Sequence, residues 1–211
     1  MKSKGLIYGF IGPAGGGKTY NLNKVRELAN EEQRDFIEGD FSDGIRQTLL
    51  QMFGIENKAV DLSSNAYLAW KDADVPFVVP VGDSLVEGKI KGRELLKNIG
   101  ENLKYLGGDK IWAKWTGNDI IHKYFELASE GKRNESIIAF GSVRFEPEIR
   151  MLFSIADIIN KEVKIVFCNH FNTEFNPRVH ISENLAHQLI LRNAKDGDDV
   201  TQIIRSMYQI K

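Results

Sequence analysis

Cysteine is nearly absent: Cys168 is the only one in 211 residues. A single thiol excludes an intrachain disulfide and fits a reducing compartment. Charge of one sign is not in excess either, since 28 Lys and Arg face 29 Asp and Glu for a net charge of -1. No global positive field or basic tail is available to attract nucleic acid, so any bound anion has to be held by locally placed cations. Long apolar runs are missing, and no segment approaches the roughly 20 residues needed to span a bilayer. The basic start Met1-Lys2-Ser3-Lys4 precedes an apolar stretch, Leu6 to Ile11, too short for a signal-peptide core. These absences lead us to expect a cytoplasmic protein with no membrane and no stable nucleic-acid partner. Proline is scarce at five residues, and Pro76 and Pro80 fall within one apolar segment, 75–81, which they push to the edge of any sheet.

What is present reads as alternating strands and helices. Leu6 to Ile11 is apolar on both faces, the pattern of a buried parallel strand. Helical periodicity follows over 18–30, then a short strand near 35–38 and a helix over 42–53. Residues 56–90 carry no clear periodicity beyond the extended stretch at 75–81. Helices are expected from 91 to Gly107-Gly108 and from 110 to 130, the latter interrupted near Gly117. Strands at 136–140 and 162–168 flank a helix opened by Pro147, and residues 188–191 read as a last short strand before a final helix at 198–208. Alternation of this kind argues for an α/β layered fold with a parallel sheet. The length suits one domain over 1–211, with 56–90 as an insertion or acceptor-binding region and 169–187 as a lid.

Glycine is the informative small residue. Gly12-Pro13-Ala14-Gly15-Gly16-Gly17-Lys18-Thr19 matches G-x-x-x-x-G-K-[ST] in full, between an expected strand and an expected helix. A loop that wraps a phosphate turns its backbone amides inward, which needs unusual φ values and close approach, hence glycine. The helix N-terminus adds its amides and dipole. In such a loop Lys18 reaches the β- and γ-phosphates and the Thr19 hydroxyl ligates Mg²⁺. The expected cofactors are therefore ATP and Mg²⁺, held by Gly12 through Thr19 and the adjoining Tyr20. No N-K-x-D motif is present, which argues against a GTPase.

Later segments resemble the deoxynucleoside monophosphate kinases of large bacteriophages. Phe41-Ser42-Asp43-Gly44-Ile45-Arg46-Gln47-Thr48-Leu49 is similar to that family's F-A-D-P-L-K-x-A-L, with Phe53-Gly54-Ile55 following. Gly92-Arg93-Glu94-Leu95-Leu96-Lys97-Asn98-Ile99-Gly100 resembles R-x-L-L-Q-x-x-G, and Asp109-Lys110-Ile111-Trp112 resembles D-x-x-W. Val143-Arg144-Phe145-Glu146-Pro147-Glu148 is similar to V-R-F-x-N-E, His180-Ile181-Ser182-Glu183 to H-x-S-E, and Arg192-Asn193 with Gly197 to a closing N-x-G. The matches run in the family order over most of the chain.

The resemblance implies a three-layer P-loop kinase fold, with helices flanking a mostly parallel sheet and a small lid or acceptor-binding insertion. It implies phosphoryl transfer to a deoxynucleoside monophosphate, with nucleotides as the small-molecule partners and a homodimer as one permitted assembly. Lys18, Arg144 and Arg93 would act on the transferring group, and Asp43, Arg46, Arg93, Arg144 and Arg178 would bind the acceptor. Asn193 would contact adenine, or else cap the turn before the last helix. Arginine suits the task because its planar fork grips phosphate oxygens in pairs and stays charged. Two departures stand out. Ser142 replaces the family's aspartate two residues before the arginine, which leaves Asp40 or Asp43 to support Mg²⁺. Asn169-His170 stands where a basic residue follows the strand, which leaves Arg178 as the lid cation. His180 would order the lid with Glu183. The rival readings are a kinase for another small phosphorylated acceptor, such as phosphomevalonate, and a regulatory or DNA-handling ATPase.

Overall fold

The computed structural model describes residues 5–53, 65–81, 83–108, 110–130, 136–176 and 181–210. Within them the chain divides into two compact units: residues up to Phe41 together with those from Ala113 onward, and Ser42–Trp112.

The first unit is built on a four-stranded parallel sheet. Its strands are β1 (Leu6–Ile11), β2 (Phe36–Gly39), β5 (Ile137–Phe140) and β6 (Glu162–Phe167), in the spatial order β2-β5-β1-β6. Parallel strands need crossover connections. Helices α1 (Lys18–Glu31), α5 (Ile111–Ser129) and α6 (Glu146–Ile159) lie between successive strands of this sheet in sequence, and α7 (Asn184–Leu191) and α8 (Thr201–Tyr208) close the chain. The expected α/β layering with a parallel sheet is what forms. β5 is buried at all four positions, as its unbroken apolar run requires. The core joins Ile7, Ile11, Ile138, Phe140 and Ile165 of the sheet to Ile149, Leu152, Phe153 and Ile155 of α6 and Ile120 of α5.

Two sequence expectations are corrected here. Residues 188–191 are helical, within α7, because the buried side chains Leu185, Ala186 and Leu189 recur at helical spacing. The outer edge of β6 is instead covered by residues 197–200. Gly197 and Val200 donate their amides to Phe167 and Ile165 (both 2.8 Å), and the Phe167 amide donates to Asp198 (2.9 Å). A covered edge cannot recruit another strand. Gly117 does not interrupt α5; a Cβ there would stand 2.3 Å from Met151 Sδ on α6, so this glycine serves close helix packing.

The second unit contains α2 (Asp43–Phe53), α3 (Asn65–Asp72), the antiparallel pair β3 (Asp74–Val81) and β4 (Ser84–Lys91), and α4 (Gly92–Gly107). Pro76 and Pro80 sit in a two-stranded ribbon, where each strand has a free side for a residue without an amide hydrogen. Within this unit the Trp112 indole donates to the Gly100 carbonyl at 3.0 Å. Among the described residues no helix is long and apolar enough to cross a membrane.

Candidate functional site

Because the four strands are parallel, their carboxyl ends lie along one edge of the sheet. That edge gathers Asp40 after β2, residues 141–145 after β5, the glycine loop after β1, and Cys168-Asn169-His170 after β6. A ligand in an open α/β sheet binds at such an edge, where the strand order reverses. Here β1 is flanked by β5 on one side and β6 on the other.

The loop residues explain their own identities. Gly15 and Gly17 adopt φ of 73° and 93°, left-handed values that a side chain disfavours. Gly12 and Gly16 answer to a different constraint. A Cβ on either would stand 2.0 or 2.5 Å from the Cys168 carbonyl oxygen, so the loop lies directly on the end of β6. The Cys168 amide donates to Ile11 at 2.7 Å and the His170 amide to Gly16 at 3.2 Å, locking that approach. Asn21 secures the other side through Nδ2, which donates to the Gly17 carbonyl and to Cys168 Sγ, each at 3.3 Å. Gly17 caps α1 without a side-chain acceptor, and the first-turn amides of a helix have no intrahelical partner.

Lys18 folds over the loop, its ammonium donating to the Gly12 and Pro13 carbonyls at 2.7 Å each. Burial lowers its pKa, and the positive charge of Arg144 lowers it further, against smaller raising effects of Cys168 and Glu183. Two cations thus bear on each other at one sheet edge, an arrangement that a polyanion relieves. Thr19 and Tyr20 are exposed on the first turn of α1.

Arg144 stands on the β5–α6 connection. Val143 pins that connection by donating its amide to Phe10 at 2.9 Å, and Arg144 Nε donates to Ser142 Oγ at 2.8 Å. Ser142 therefore orients the arginine. The Glu148 carboxylate reaches back from α6 to accept the amides of Arg144 (2.6 Å) and Phe145 (3.1 Å). Burial pushes the Glu148 carboxyl up to about 7; these two amides and the Arg144 charge oppose the rise, and Asp40 adds to it. Glu148 was legible only as the last position of a motif match. Its signal was the acidic residue three places after the N-cap Phe145, the second half of a capping box.

The remaining candidates are placed as follows. Asp40 follows β2, close enough to act electrostatically on Glu148, and its carbonyl accepts the Thr116 hydroxyl at 3.4 Å. Asp43 and Arg46 belong to the second unit, where they pair with each other in the first turn of α2; Arg46 also donates to Ser42 Oγ at 2.5 Å and is buried. Arg93, also in the second unit, is exposed at the start of α4 and paired with Asp72 at 3.2 Å. Arg178 and His180 lie outside the described residues, as does Asp109. Asn193 is exposed with φ of 60° and donates its amide to Ile190 at 2.9 Å, closing the end of α7.

The β6–α7 connection has a framework the sequence did not announce. The buried Asn169 side chain brackets Thr173, its Nδ2 donating to the Thr173 carbonyl (3.1 Å) and its Oδ1 accepting the Thr173 amide (2.8 Å). His187, buried within α7, accepts the Asn176 amide at Nδ1 (3.0 Å), and its Nε2 lies 3.9 Å from Glu183. Glu183 therefore has His187 beside it. Cys168 contributes through its backbone and as the acceptor of Asn21 Nδ2; burial pushes its thiol up to about 11, too high for a nucleophile at neutral pH.

The loop fits a nucleoside triphosphate: two left-handed glycines, two glycines with no room for a side chain, and a lysine folded into the turn. For Mg²⁺, the Thr19 hydroxyl and the Asp40 carboxylate have the right donor chemistry, since this cation is commonly held by few protein oxygens besides phosphates and water. Among the described residues no cluster of three or more His, Cys, Asp or Glu could form an all-protein metal cage.

No protein-family model and no curated protein matches the chain. Among solved structures the chain is similar to a mutant of the Mycobacterium tuberculosis APS kinase CysC, with 13% identity over 90% of this chain and 99% of that one, at a TM-score of 0.35.

Proposed function

We propose that this protein is an ATP- and Mg²⁺-dependent phosphotransferase whose acceptor is a deoxynucleoside 5'-monophosphate. The observation that carries the proposal is the joint placement of Lys18 and Arg144, two cations acting on each other at the sheet edge that bears the glycine loop. A bare ATPase needs the loop and its lysine. A kinase must also hold a second anion against the first, and Arg144 on the neighbouring strand's connection is suited to that task. The sequence resemblance over the later motifs narrows the acceptor to a deoxynucleotide.

The amides of the loop and of the first turn of α1 would hold the β- and γ-phosphates, with Lys18 leaving its carbonyl partners to neutralise charge on the migrating group. Thr19 and Asp40 would hold Mg²⁺, which supplies charge neutralisation and alignment of phosphate oxygens. Arg144 would fork onto the acceptor phosphate through its two terminal nitrogens while Ser142 retains Nε. The acceptor oxygen is already ionised at neutral pH, so no residue has to remove a proton. Positioning and electrostatic stabilisation carry the catalysis. Arg178 is the further acceptor-side candidate that the sequence resemblance offers, and the adenine would lie toward Asn193.

The test is an acceptor screen with ATP and Mg²⁺ in a coupled assay, using dGMP, dTMP, dCMP and a modified dCMP. Diphosphate formation from at least one of them is expected. Turnover only with a non-nucleotide phosphorylated acceptor would replace the deoxynucleotide reading while keeping the kinase.

A further inference from the structure

We infer that Glu148 is a positioning residue for Arg144: its carboxylate holds the Arg144 backbone so that the guanidinium stays aimed at the acceptor. This rests on the kinase reading above. A capping box ordinarily pairs Ser or Thr at the N-cap with Glu three residues on. Here the N-cap is Phe145, whose ring carries no oxygen or nitrogen to serve as the cap's acceptor, and Glu148 exceeds the usual half of the box. One oxygen, Oε2, accepts two successive amides, that of Phe145 at 3.1 Å and that of Arg144, one residue outside the cap, at 2.6 Å. The shorter bond goes to the residue the helix does not need.

Three anchors thereby surround Arg144. Its neighbour Val143 is tied to Phe10 of β1, its own amide to α6 through Glu148, and its Nε to Ser142. β1 and α6 are rigid core elements, and an exposed arginine suspended between them loses little further freedom on meeting a phosphate. The charged groups that act on Glu148 are Arg144 on the same connection and Asp40 after β2. A carboxylate that served only to cap α6 would affect stability without distinguishing acceptor from donor.

The experiment compares Glu148→Ala, Glu148→Gln and each in an Arg144→Ala background. Glu148→Ala should lower kcat/KM for the deoxynucleotide by about ten- to a hundredfold, the scale of a misplaced contact group, with ATP affinity unchanged. Glu148→Gln keeps an oxygen that can accept both amides and should restore most of the loss. On Arg144→Ala the alanine substitution should cost nothing further, because the residue acts through Arg144. Hydrogen exchange at the Arg144 and Phe145 amides should be faster in Glu148→Ala and near wild type in Glu148→Gln. Should the alanine variant not fold, Glu148→Asp, one methylene short of the amides, takes its place. An undiminished deficit on Arg144→Ala, or unchanged exchange at the two amides, would overturn the inference. A wild-type protein that phosphorylates no acceptor would instead overturn the kinase reading, whatever the exchange shows.

Discussion

At the scale of single residues, Arg144 and Lys18 have different proposed tasks, and the difference can be measured. Arg144→Lys keeps the charge but loses the planar fork. One lost charge-assisted contact costs about 1.5–3 kcal/mol, or on the order of ten- to a hundredfold in acceptor kcat/KM. ATP affinity by calorimetry should hardly change, since the loop and Lys18 are untouched. A variant that loses ATP affinity yet saturates normally with deoxynucleotide would move Arg144 to the donor side. The loop residues were legible because each identity answers a local demand: left-handed backbone at Gly15 and Gly17, close approach at Gly12 and Gly16. Glu148 was legible only as the end of a motif match, and His187 was not legible at all. Their importance lies in which backbone amides they meet, and a sequence does not show where amides go.

At the scale of elements, the glycine loop is fitted to the end of β6, so a side chain there damages both. Gly12→Ala places a Cβ 2.0 Å from the Cys168 carbonyl oxygen, a rigid backbone atom. We expect it to cost about 1–3 kcal/mol of stability, the range for overpacking, and to weaken ATP binding together with it. Thermal unfolding and nucleotide titration on one preparation check this; unchanged values in both would mean the loop does not rest on β6. The element pattern explains which expectations succeeded. β1 and β5 are unbroken apolar runs, and α1 and α6 are long enough for helical spacing to stand out. Residues 188–191 misled because the three apolar residues after Gln188 fit a strand and a buried helix face equally well. β4 was hidden because it pairs only within a two-stranded ribbon and its glycine and charges break any alternation.

At the scale of the whole molecule, the amino edge of the sheet carries a group that couples stability to pH. Lys161, just before β6, is buried beside Tyr124, with its ammonium donating to the Ser136 carbonyl at 2.8 Å. Burial, assisted by the charge of Arg34, lowers its pKa from 10.5 to about 8. Between these values the unfolded chain holds a proton that the folded chain has released. Stability therefore gains a contribution as pH rises from about 8 toward 10.5. Lys161→Met should remove that rise, measured as the pH dependence of the urea midpoint; an equal rise in the variant would assign it elsewhere.

The same whole-molecule view holds the central claim, that the edge bearing the glycine loop and Arg144 passes a phosphoryl group between two nucleotides. The most direct measurement follows the fate of label from γ-labelled ATP with Mg²⁺ and the preferred deoxynucleoside monophosphate, in the wild type and in Lys18→Ala. The account predicts label in the deoxynucleoside diphosphate for the wild type. It predicts a loss of about a hundredfold or more in Lys18→Ala with the fold intact, the scale for removing one charge-stabilising donor. Label released only as inorganic phosphate, with or without stimulation by DNA, or undiminished transfer by Lys18→Ala, would contradict it.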